Sequence, residues 1–98
     1  MKTEEMEELW EKHMDKEFLK FDLVQNKQSQ CPDIHAFLLL ESLAHQNRDM
    51  VSAAEHDEIY LSVEPELLSK VVTEDQIVEL IRCGVRYDAH YESLCMFV

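Results

Sequence analysis

Apolar residues recur at intervals of three and four at the start of the chain. Met6, Leu9, Trp10, Met14, Phe18 and Phe21 fall on one face of a helix predicted over residues 3 to about 21. Thr3 offers a hydroxyl for its N-cap. Glu4, Glu5, Glu7 and Glu8 crowd the first turns and Lys12, Lys16 and Lys20 follow, an order that suits the helix dipole and allows Glu8 to pair with Lys12. A polar series over residues 22–30 then carries the chain across the surface. Pro32 suits a first helical position and opens a second helix with Asp33 in its first turn. Because Ile34, Ala36, Phe37, Leu38, Leu39, Leu40, Leu43 and Ala44 point in nearly every direction, this helix is expected to be covered on most sides, at the centre of the core.

Past Asn47, Arg48 and Asp49 the period falls to two. The apolar runs 50–54 and 59–63 flank Glu55, His56, Asp57 and Glu58, a pattern that predicts a hairpin with a four-residue connection. Pro65 opens a short helix to about Val71, and Thr73-Glu74-Asp75-Gln76 forms a capping box ahead of Ile77, Val78, Leu80 and Ile81. Gly84, the one glycine, stands where a left-handed C-cap is required, with Val85 as its apolar companion. Residues 85–87 and 93–98 read as a second hairpin turning through Asp88, Ala89, His90 and Tyr91, and the apolar ending Cys95-Met96-Phe97-Val98 predicts a buried last strand. The expectation is one α+β domain over residues 1–98, in the order α-α-β-β-α-α-β-β. Its helices should pack on one face of a small antiparallel sheet made of the two hairpins.

Charge narrows the choice of partners. Against 21 acidic residues stand 9 basic ones, for a net charge of -12. The first half of the chain has 11 acidic and 6 basic residues and the second half 10 and 3, so neither half is a detachable acidic tail. A field of this sign repels phosphates, which argues against direct contact with nucleic acid or an anionic membrane. The longest apolar run, residues 36–40, is far short of a membrane span. Cys31, Cys83 and Cys95 are odd in number, lack CxxC spacing and follow a charged start, so a reducing, cytoplasmic setting is expected.

Candidate chemistry is sparse. Cys31 and His35 could meet across a first helical turn, with His45, His56 and His90 joining from elsewhere, but no spacing matches a zinc ribbon, finger or HExxH helix. No metal or other cofactor is assigned. His56, Asp57 and Glu58 form the densest titratable group, the raw material for acid and base catalysis, yet no phosphate loop, nucleophile elbow or nucleotide fingerprint accompanies them. No catalytic residue is assigned, and a metal-assisted enzyme built on that cluster is the alternative. Trp10, Tyr60, Tyr87 and Tyr91 could anchor an interface; Trp10 belongs to the core face of the first helix, whereas Tyr91, on a turn, suits a contact role.

The reading that fits best is a small acidic protein, not an enzyme, that binds a macromolecule. The expected partner is a protein with a basic surface, including a nucleic-acid-binding protein whose cleft an acidic surface would imitate. Glu55, His56, Asp57, Glu58 and Tyr91 are the candidate contact residues. Size, charge and absent chemistry resemble, in type, small accessory proteins of phages and mobile elements, a likeness that transfers no site. Self-assembly is the third reading, with a homodimer formed through the Met and aromatic face of the first helix.

Overall fold

The computed structural model describes residues 1–97; Val98, predicted to end the last strand, lies outside the described residues. Four helices, α1 (Thr3–Glu17), α2 (Pro32–Leu43), α3 (Pro65–Val71) and α4 (Glu74–Arg82), pack on one face of an antiparallel sheet. The strands are β1 (Val51–Glu55), β2 (Glu58–Leu61), β3 (Arg86–Asp88) and β4 (Ser93–Phe97), in the spatial order β1-β2-β4-β3. The α+β expectation and its element order hold. The two hairpins join through β2 and β4, where Ile59 faces Met96 and Tyr60 faces Cys95.

Period-two alternation sends Leu61, Leu94 and Met96 into the core, against Met6 and Trp10 of α1, Leu39 and Leu40 of α2, Leu68 of α3, and Ile77, Leu80 and Ile81 of α4. Each fully buried Leu or Ile stabilises the fold by about 1.5–3 kcal/mol through its loss of contact with water. On the Met and aromatic face of α1, Met6 and Trp10 are buried within the chain, and Leu9, Met14 and Phe18 pack partly buried against the same core. Trp10 lies in the core as expected, and its indole N–H donates to the Val85 carbonyl at 3.1 Å.

The α4 signals hold in detail. Gln76 N–H donates to Thr73 Oγ1 at 3.2 Å and Thr73 N–H to Gln76 Oε1 at 2.9 Å. At the other end Gly84 takes φ +97°, its N–H donates to Ile81 O and that of Val85 to Leu80 O, which closes a Schellman motif. A Cβ at Gly84 would lie 2.8 Å from Leu19 Cδ2, the end of an exposed side chain that can move aside, so φ is what favours glycine there.

Five expectations need correction. α1 stops at Glu17, four residues early, because Leu19 turns to φ 62° and donates its N–H to Ile81 O; Phe21 falls in the 3₁₀ turn Phe21–Leu23. Lys2, not Thr3, is the N-cap, and the Glu5 carboxylate accepts its backbone N–H at 3.3 Å. Lys12 approaches Glu74 at 3.6 Å in place of Glu8. α2 is covered on one side only: Ile34 and Leu38 remain 46% and 43% exposed. The first hairpin turns on two residues, His56 and Asp57, with Glu55 paired to Glu58; His56 adopts φ 50°, a region His enters more readily than bulky residues do.

Candidate functional site

Two surfaces carry the polar chemistry. The first is the sheet face turned away from the helices, where Arg86, Cys95 and Tyr60 stand side by side across β3, β4 and β2 and Glu58 pairs with Phe97. The Glu58 carboxylate accepts from the Tyr60 hydroxyl at 3.2 Å and from the Arg86 guanidinium. That guanidinium lies 4.0 Å from the centre of the Phe97 ring, a cation–π contact, while its enclosed Nε finds no partner among the described residues. Burial first, then the Glu58 carboxylate, pushes the Tyr60 phenol up to about 12, so it stays a donor at neutral pH. Tyr91, 62% exposed, meets Tyr60 edge to face with ring centres 5.6 Å apart.

The predicted contact residues therefore separate. Glu55 and Tyr91 come together with Tyr60 around an open concavity of about 330 Å³, whose wall also includes Ser52, Ala53 and Ser93. Glu58 is bound into the Tyr60–Arg86 network beneath. His56 and Asp57 stay exposed at the hairpin turn and do not line the concavity. Arg86 is a functional-looking residue that sequence reasoning missed, and Tyr60 was legible there only as an aromatic that could anchor an interface. The alternation Ile59-Tyr60-Leu61 already placed Tyr60 on the face opposite the core, but Arg86 had no such signal.

The second surface is acidic. Glu7, Glu11 and Asp15, four residues apart on α1, line a groove of about 570 Å³ against Arg86 and Tyr87. An adjoining concavity of about 400 Å³ shares Glu7 and Tyr87 and adds Glu4, Glu64, Glu66 and Glu92. Among the described residues that line either one, Arg86 is the only base, and it is engaged by Glu58. Glu64 lies 3.7 Å from Arg48; the other six carboxylates have no ion-pair partner among the described residues. Burial and then the Glu7 carboxylate raise the Tyr87 phenol well above its ordinary range. Toward the amino terminus the face ends at Lys2 and Lys70. Sequence spacing shows the α1 stripe, but not that the start of α3 and the β3–β4 turn extend it.

The histidines do not converge. His35, fully buried, accepts the Gln28 N–H on Nδ1 at 3.1 Å, which leaves its proton on Nε2 for the Glu79 carboxylate at 2.6 Å. His13 donates to Glu74 at 2.7 Å and holds that carboxyl below its ordinary range, and His45 pairs with Glu41 at 2.7 Å. Cys31 is exposed while the His35 ring points inward, so the two do not form the pair the spacing allowed. Among the described residues no three His, Cys, Asp or Glu side chains are placed to hold a metal ion, and no helix is long and apolar enough to cross a membrane. No family model, curated protein or solved structure matches the chain.

Proposed function

We propose that the protein acts by occupancy: it binds another protein through that protein's basic surface and is not itself a catalyst. The observation that carries this reading is the convergence of seven carboxylates from α1, α3 and the β3–β4 turn on two adjoining grooves, with one base among their lining residues. Like charges held close on a rigid scaffold repel one another, so the face gains most from a cationic partner. A nucleic-acid-binding protein fits that description, with the acidic face standing where phosphates would lie. The same charge opposes direct binding to nucleic acid or an anionic membrane. The exposed free thiol of Cys31 suits a reducing, cytoplasmic setting.

Capture from the native host's lysate tests this, comparing the wild-type chain with a Glu7→Gln/Glu11→Gln/Asp15→Asn variant. The wild type should retain a basic protein at low salt and release it at high salt, and the variant should hold about tenfold less. Equal retention by both would remove the acidic face from the account.

A further inference from the structure

β1 is an edge strand, and among the described residues no element pairs with its outer side. All five of its residues are exposed, whereas β3 at the opposite edge lies against α1, with the Trp10 and Tyr87 rings 6.4 Å apart. In a two-residue hairpin the pair that closes the turn, here Glu55 and Glu58, exchanges hydrogen bonds, so the next pair, Ala54 and Ile59, does not. Ala54 therefore offers an N–H and a C=O along the open edge. Edges protected from pairing usually carry Lys or Pro; β1 reads Val-Ser-Ala-Ala-Glu, and its deterrents are the Glu55 charge beside the turn and the irregularity between Val51 and Ala53.

Beside this edge lies the concavity walled by Ala53, Glu55, Tyr60 and Tyr91. A strand added to β1 would set every second side chain on the same face, next to Ala53 and Glu55. Among the described residues of the lining Glu55 is the only charged one, and two phenol rings beside a carboxylate favour a cation.

We propose that β1 takes up an extended basic segment of the partner protein by strand addition, one Lys or Arg of the added strand entering the concavity between Tyr60, Tyr91 and Glu55. This rests on the reading that the partner is basic, and it specifies how such a partner is held. A second copy fits the edge less well. Each copy has a net charge of -12, and neither β1 nor β2 carries a Lys or Arg to offset the repulsion between two copies.

An amide NMR titration of the full chain tests this, using a capped peptide of alternating Lys and Thr, whose lysines share one face of a strand, and a Glu/Thr peptide as control. Shifts should centre on residues 52–55, Tyr60 and Tyr91 with the Lys peptide alone. Ala54→Pro, which removes the outward donor and spares the β1–β2 ladder, should weaken binding at least about tenfold. Tyr91→Ala, at an exposed side chain outside the β1 backbone, should weaken it as well and covers the event that the proline variant unfolds. Shifts confined to the surroundings of Glu7, Glu11 and Asp15 would overturn strand addition and leave the acidic-face reading standing. No shift anywhere would overturn both, and shifts in β1 that grow with protein concentration without peptide would assign the edge to a second copy and overturn the proposal.

Discussion

Three thiols share one chain but not one environment. Cys31 is exposed ahead of α2, whereas Cys83 and Cys95 are buried, the latter beneath the outer sheet face. Burial first, then the Glu79 charge, pushes the Cys83 thiol up to about 12, and burial raises that of Cys95 too. Thiolate is the reactive form, so a disulfide-exchange reagent should label Cys31 in the native protein and the other two only on unfolding. Fast labelling of all three would contradict the packing. The sign of the pH effect follows. An unfolded Cys loses its proton at about 8.5, whereas folded Cys83 keeps its own to about 12, so its share of the stability is whole below the lower value and drains as pH climbs between them. Chemical denaturation across that range should show a shallower alkaline loss for Cys83→Ala than for the wild type.

Punctuation decides which elements could be read from sequence. α4 was fully legible because its start and stop are chemical: the Thr73–Gln76 box satisfies its first amides, and Gly84 accepts a φ of +97° that other residues resist. Thr73→Ala should cost about 1 kcal/mol in a urea melt, and an unchanged midpoint would show that the box contributes nothing. The end of α1 was illegible, since the apolar period runs on to Phe21 and only the tertiary bond from Leu19 to Ile81 ends the helix. The exposure of β1 and of one side of α2 was hidden for a related reason. Hydropathy reports that a side chain can be buried, not that something lies above it, and Ile34, Leu38 and Val51 stay substantially exposed. The candidate site divides along the same line. Glu55 and Tyr91 could be named from turn chemistry and Tyr60 from its alternation, whereas Arg86 and the gathering of Glu64, Glu66 and Glu92 beside Glu7 depend on the sheet order β1-β2-β4-β3 and on where α3 begins.

Taken as one body, the molecule turns its helices and sheet toward a common core and leaves two outward features, the acidic grooves and the open β1 edge. Charges at a distance steer encounter and are screened by salt, whereas backbone pairing at an edge is far less sensitive to it. The most direct measurement is the affinity of the captured partner from about 50 to about 500 mM salt, for the wild type and for the Glu7→Gln/Glu11→Gln/Asp15→Asn variant. The wild type should lose affinity steadily as salt rises, and the variant should start weaker and fall less steeply. A salt-independent affinity, or coincident curves for the two proteins, would contradict a function carried by the acidic face.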